Sequence, residues 1–335
     1  MEKIKQAKIP LGLKEKCLDM FRRLGRMSKF GGYISEYEKI VHYLDWVLSL
    51  PWQIKTEDKL DLEQAKKILD ENHYGIEEIK ERILEYMAVL KLNAGQKKIS
   101  RAPILCLVGL VGAGKTTFSY SLARALGRNF GRVPFGGMGS ALDLRGQSRL
   151  HPDNEPGQIV KALKRCQSNN PVILLDEIDR VSENARADIM GVLIELLDPE
   201  QNEFFTDHYI DYPFDLSDTI FVTTCNNTTN ISTAVLDRLE VLHMPSYTDD
   251  EKIKISKDYV LPRVMKKCGL KPENLEIEQG VWPQIVRPLG FDAGIRTLER
   301  TIEGLCRKIA KKIVMKEGMY YQVNSANVKE YLPEW

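Results

Sequence analysis

Three short, wholly apolar runs constrain this chain more than any other feature: PILCLVGL from Pro103, PVILLDEID from Pro171 and TIFVTTCNN from Thr219. Apolar runs without alternation are strands covered on both faces, and the stretches between them have helical spacing. The middle of the chain therefore reads as an α/β unit built on a parallel sheet. After Pro245 such runs nearly vanish, and KIKISKDYVLPRVMKKCGL and GIRTLERTIEGLCRKIAKKIVMK are helical by period. The expected organisation is a helical amino-terminal segment (1–70), an α/β domain (71–245) and a mainly helical domain (246–335). At 335 residues the chain is long enough to bury more than one core.

In the first segment, Ser35 and Glu38 are spaced as a capping box. Ile40, Val41, Leu44, Val47 and Leu48 then recur at helical intervals until Pro51 stops the run. A second helix is expected from Asp61 to near Asn72. HYGIEEIKERILEYMAVLKL then places Ile76, Ile79, Ile83, Tyr86 or Met87, and Leu90 on one stripe.

The strand PILCLV runs directly into GLVGAGKT, Gly109 to Thr116, which matches GxxxxGK[ST] between a predicted strand and a predicted helix. Gly109, Gly112 and Gly114 let backbone N–H groups fold inward around phosphates, and the helix start adds its positive dipole end. Lys115 is expected to reach the β- and γ-phosphates and Thr116 to ligate magnesium, with Thr117 beside them at the nucleotide.

PVILLDEID ends four apolar residues in Asp176 and Glu177. A carboxylate at the end of a buried strand is costly to desolvate unless a cation meets it, and magnesium on the nucleotide is the natural partner. Asp176 is expected to hold the metal through water, and Glu177 to orient and deprotonate the attacking water. The run IFVTTC ends in Asn226 and Asn227 at the sheet's carboxyl edge, where Asn226 can help position that water. Arg238 in VLDRLEVL, flanked by Asp237 and Glu240, and Arg296 in AGIRTLER are ambiguous by themselves, since an arginine among acids reads as a solvated ion pair.

The formal net charge is +1, so no basic excess is present to neutralise a nucleic-acid backbone. Six cysteines are scattered without CxxC spacing or a histidine cluster, which argues for reduced thiols rather than a disulfide frame or metal site. No apolar run is long enough to span a bilayer, and MEKIKQAKIP is not followed by a secretory hydrophobic region. A soluble, reducing compartment is expected: the cytoplasm, or the mitochondrial matrix in a eukaryote.

Together these stretches resemble the ATPase module of the Lon family of ATP-dependent proteases. The likeness extends from YLDWVLSLPW through HYGIEEIKERILEYMAVLKL, GLVGAGKTTFSYSLARALGR, PVILLDEID, ELLDPEQNEFFTDHYIDYPFDLS and VLDRLEVL to AGIRTLERTIEGLCRKIAKKI, nearly the whole chain. DPEQN and DHYIDYPFDLS are more specific to it than the phosphate loop.

The resemblance implies an AAA+ core followed by a helical lid, in a homo-oligomeric ring, usually hexameric, that hydrolyses ATP with Mg2+ to unfold and thread protein substrates. It also implies that Asn226 is sensor 1, Arg238 an arginine finger offered to a neighbour's nucleotide, and Arg296 sensor 2 in the lid. His73, Tyr74 and Gly75 fall where the family lines its adenine pocket.

Three departures accompany the likeness. The chain reaches VKEYLPEW near where the family's serine and lysine peptidase domain would begin, so a peptidase domain in cis is expected only if the parent chain is longer. Of the family's long amino-terminal substrate-recognition region, only the last helices are matched. Between the two nucleotide motifs, Arg145, Gly146, Pro156 and Gly157 are kept, but the positions where the family grips substrate with an aromatic and an aliphatic residue read Leu150, His151, Pro152 and Asp153. A proline and an acid do not offer the flat apolar contact of an aromatic ring. Two functions are therefore weighed: a protein-threading motor, and an ATP-switched scaffold or stand-alone Lon-like ATPase that does not thread substrate.

Overall fold

Each apolar run becomes a strand of one sheet in the computed structural model, which describes residues 2–27, 34–93, 103–152, 154–287 and 294–332. The strands are β1 (Ile104–Val108), β2 (Phe130–Pro134), β3 (Val172–Asp176), β4 (Ile220–Cys225) and β5 (Leu239–His243), in the spatial order β2-β3-β4-β1-β5. β2 pairs with β3, β3 with β4 and β4 with β1, all in parallel. Every residue of β3 and β4 is buried, as unbroken apolar runs require. The architecture is α/β, with helices following the strands.

The chain forms two compact units. One contains Met1–Ile68, Glu81–Val108 and Ser119–Leu242; the other contains Leu69–Lys80, Gly109–Phe118 and His243–Trp335. In the first, the helices Leu11–Met27 and Ile34–Ser49 share one apolar core with the sheet, through Leu13, Cys17, Tyr43 and Val47. The second of these helices spans Ile34–Ser49, and the Ser35 side chain on which the expected capping box rests lies outside the described residues. Asp61 does cap the helix Leu62–Asn72, its Oδ1 accepting the Glu63 and Gln64 N–H groups at 3.0 and 3.1 Å.

Two distinctive stretches of sequence pack on one another in this unit. Trp52 meets Tyr212 edge-on at 5.9 Å and Phe214 at 4.8 Å between ring centroids. The Tyr43 ring lies 6.0 Å from Tyr209, and its hydroxyl donates to the Ile210 carbonyl at 3.0 Å. Aromatic pairs of this kind are worth about 0.5–1.5 kcal/mol beyond the area they bury.

The second unit has its own core of Trp282, Ile302, Leu305, Ile309 and Val328. Its longest helix, Arg296–Val314, buries Leu298, Ile302, Leu305, Cys306 and Ile309, one stripe at helical spacing. The helix Asp249–Ile255 opens with a complete capping box between Thr248 and Glu251. A small parallel pair, Leu275–Ile277 with Tyr321–Val323, is the strand content that the sequence did not announce here. Among the described residues no helix is long and apolar enough to cross a membrane.

Candidate functional site

The phosphate loop belongs to the second unit. Gly112 and Gly114 take φ of +85° and +93°, the left-handed region that the loop needs in order to turn its N–H groups inward. The helix Lys115–Leu126 follows at once, with Thr116 and Thr117 exposed at its start. Lys115 is buried, and its Nζ donates to the Gly109 carbonyl and, at 3.1 Å, to the Leu110 carbonyl.

The start of the helix Arg296–Val314 is stitched to the same loop. The Ile295 N–H donates to the Gly112 carbonyl at 3.1 Å, and any side chain at Gly294 would run into the Val111 carbonyl. Arg296 follows as the first helical residue, so the glycine of AGIR is there for close approach and the arginine emerges beside the loop.

His73, Tyr74 and Gly75 lie in the same unit. His73 is 6% exposed, and its ring packs against Phe118 at 5.0 Å. Burial, reinforced by the nearby Lys80 ammonium, pushes its pKa down to about 4, against an opposing hydrogen bond to the Thr117 backbone. The histidine is thus a neutral wedge beneath the start of the phosphate-loop helix. Gly75 and Ile76 both have positive φ, +65° and +53°, forming the turn between two helices. Lys254 stands 4.8 Å over the ring of Tyr74.

Asp176, Glu177, Asn226 and Arg238 belong to the first unit. Asp176 ends β3 and is 4% exposed. Its Oδ1 accepts the Thr224 hydroxyl, and its Oδ2 accepts Arg132 Nε at 2.7 Å. The same Thr224 Oγ1 accepts the Glu177 N–H at 2.9 Å. Glu177 has φ +59°, a conformation that a glutamate adopts only when its surroundings hold it there. One oxygen of Asp179, Oδ2, accepts the N–H groups of Asn226 at 3.1 Å and Asn227 at 3.4 Å, anchoring the end of β4 to the acid pair's turn.

Thr224, Asp179 and Arg132 were missed from sequence. The available signal was two threonines inside an otherwise apolar buried strand, since buried hydroxyls demand partners.

Arg238 does not pair with its sequence neighbours Asp237 or Glu240. Its Nη1 donates to the Ala234 carbonyl at 2.7 Å and its Nη2 to Asp198 Oδ2 at 3.1 Å, while Glu240 pairs with Arg82. The backbone N–H of Glu200 and, after it, Arg238 hold the Asp198 carboxyl below its ordinary value. The carboxylate that Arg238 meets lies 40 residues upstream, so proximity in sequence was a poor guide to the partner.

The loop between Gly146 and Gly157 is closed at its base. The Gln147 N–H donates to the Glu155 carbonyl at 3.0 Å, and buried Asp207 accepts the N–H groups of Gly157, Tyr209 and Ile210 at 2.7, 2.8 and 3.0 Å. A side chain at Gly157 would collide with the Leu144 carbonyl. Burial pushes the Asp207 carboxyl up to about 6, with its three N–H donors pulling the other way. Arg149 stacks 4.2 Å above the Tyr43 ring, His151 is exposed, and Leu150 at the tip is 94% exposed. Asp153 lies outside the described residues.

Magnesium is a hard cation that takes oxygen ligands and keeps several waters or phosphate oxygens of its own. Among the described residues no cluster of three or more His, Cys, Asp or Glu forms a cage. Within the first unit, the buried carboxylate of Asp176 is an oxygen donor of the kind such an ion takes.

A five-stranded sheet, parallel from β2 through β3 and β4 to β1, with a glycine-rich phosphate loop after its β1 strand and an acid pair at the end of β3 defines a P-loop nucleotide hydrolase. The family model described as ATPase family associated with various cellular activities (AAA) matches residues 105–246, and that of the Lon protease AAA+ ATPase lid domain matches residues 266–321. The Lon protease of Syntrophomonas wolfei is 43% identical over 331 residues, covering 99% of this chain and 40% of the relative. Lon protease 1 of Bacillus subtilis is 42% identical over 331 residues, 99% of this chain and 42% of the relative. The chain therefore spans about two fifths of the length of these curated relatives. It belongs to the Lon family, as the AAA+ ATPase module.

Proposed function

We propose that this chain is the ATP-driven motor of a Lon-type protease. It binds ATP with Mg2+, hydrolyses it within a homo-oligomeric ring, expected to be hexameric, and uses the cycle to unfold and thread proteins toward a peptidase domain. Residues 71–245 act as the ATPase domain and 246–335 as its lid. In this reading Gly109, Gly112, Gly114, Lys115, Thr116 and Thr117 hold the phosphates, and His73, Tyr74 and Gly75 border the base. Asp176 and Thr116 serve the metal, Glu177 the attacking water, and Asn226 the positioning of that water. Arg296 reports from the lid, and Arg238 serves a neighbouring subunit's nucleotide. The six free cysteines, five of them buried, suit a reducing compartment such as the cytoplasm.

The observation that carries the reading is the conformation of Glu177. A left-handed glutamate directly after a buried strand-end aspartate, with its N–H tied to Thr224, is strained backbone maintained at the point where a general base is needed. The test is Glu177→Gln, which keeps the shape and removes the base. Turnover should fall by roughly 10²- to 10⁴-fold while ATP still binds and stays unhydrolysed. A variant that hydrolyses ATP at the wild-type rate would remove Glu177 from the mechanism.

A further inference from the structure

The buried Asp176 carboxylate is held asymmetrically. On one side is Thr224, fully buried in β4, which also carries the Glu177 N–H. On the other is Arg132 of β2, whose Nε and Nη2 both approach the single oxygen Oδ2, at 2.7 and 2.6 Å. The strand register explains the reach. Pro134 stands beside Asp176, so Arg132 lies two residues upstream, on the same face of the sheet, and extends forward to the strand's end.

The exposure of the two partners is opposite. The Asp176 side chain is 5% exposed, whereas that of Arg132 is 53% exposed. A buried carboxylate without a cation carries a heavy desolvation cost, but a half-exposed guanidinium returns to water at little cost. The pair can therefore be broken from one side only: Arg132 can leave if another cation arrives at Oδ2, and Thr224 need not move.

We propose that Arg132 is the resident counter-ion of Asp176, a positioning residue that occupies the carboxylate until a divalent cation accompanying the nucleotide displaces it. This rests on the reading of Asp176 as a cation ligand. Arg132 then sets the Mg2+ concentration at which the site loads, and it prevents an uncompensated charge from distorting the Asp176, Thr224 and Glu177 connection when no cation is present.

The test is a Mg2+ titration of the full chain with a fluorescent, non-hydrolysable ATP analogue, alongside binding of the same analogue in EDTA. Arg132→Gln should shift the Mg2+ midpoint to a concentration lower by about three- to tenfold, the worth of one charged hydrogen-bonded pair, with EDTA binding unchanged. An unchanged midpoint would overturn the proposal and leave a purely structural ion pair. Weaker analogue binding in EDTA would overturn it differently, making Arg132 a phosphate ligand. If the wild-type chain binds the analogue with no Mg2+ dependence, the reading of Asp176 as a cation ligand fails, and the proposal with it.

A second measurement needs no folded Gln variant. The arginine Nε–H resonance of Arg132, assigned by its loss in Arg132→Lys, should move to a solvent-exposed position in wild-type protein on addition of Mg2+ with the analogue. A resonance that stays in place at saturation would overturn the displacement.

Discussion

Arg238 is held by Asp198, 40 residues upstream in the chain, through a 3.1 Å contact between Nη2 and Oδ2. Asp198 is the first residue after the helix Arg186–Leu197, where its Oδ1 also accepts the Glu200 N–H at 2.9 Å. The carboxylate is thus fixed by backbone, and the guanidinium is fixed by the carboxylate. A side chain with many rotamers is ordered before any partner arrives, which lowers the entropy cost of using it.

If that arginine serves a neighbour's nucleotide, Arg238→Ala should slow hydrolysis by the assembled protein on the order of 10³-fold and leave ATP affinity nearly unchanged. Steady-state turnover and equilibrium nucleotide binding, measured on the same oligomeric fraction, decide it. Equal turnover in variant and wild type would sink the role.

Asp207 closes the base of the 147–155 loop by accepting three backbone N–H groups at once. Asp207→Ala leaves those buried donors without their acceptor and should cost about 2–4 kcal/mol in urea unfolding. Limited trypsin digestion should then cut earlier after Arg149, while Asp207→Asn, which keeps one carbonyl acceptor, is milder. A cleavage rate at Arg149 equal to wild type would show that the loop base is held by other contacts.

His73 makes stability depend on pH in a defined window. The unfolded chain takes up the imidazole proton near its ordinary value of 6.5, whereas the folded chain resists it down to about 4. The unfolded state therefore binds more protons between these values, and stability falls as pH drops from 6.5 toward 4, by up to about 3 kcal/mol from this group. His73→Phe should flatten that part of the profile in thermal denaturation. An unaltered slope would mean the histidine is not the group that titrates.

The loop tip offers Leu150, 94% exposed, where the resemblance leads one to expect an aromatic at 151. Replacing His151 with Tyr and Pro152 with Ile should raise the ATPase stimulation given by an unfolded protein such as casein, and Leu150→Ala should lower it. If neither changes stimulation in the assembled protein, the loop does not touch the substrate.

The strands β1, β3 and β4, the glycine-rich and acid-pair motifs that directly follow or end two of them, and the helical character of the carboxyl-terminal part were legible in the sequence because each depends on residues within a few positions of one another. Strand β2, half exposed and holding a glycine, an arginine and a proline, carried no such run. A buried strand needs only a continuous apolar run, and a phosphate loop needs glycines and a lysine at set spacing.

What the tertiary structure decided was the pairing of polar groups across distance. Thr224 reaches Asp176 only because parallel register sets Leu175 beside Thr223 in adjacent strands. Arg132 reaches the same carboxylate because β2 lies on the other side of β3. Asp198 finds Arg238, and Asp207 finds Gly157, across 40 and 50 residues. Hydrophobic periodicity records which face of an element is buried and says nothing about which buried donor will meet which acceptor. Those partners are chosen by strand order and register, which no single stretch of this chain contains.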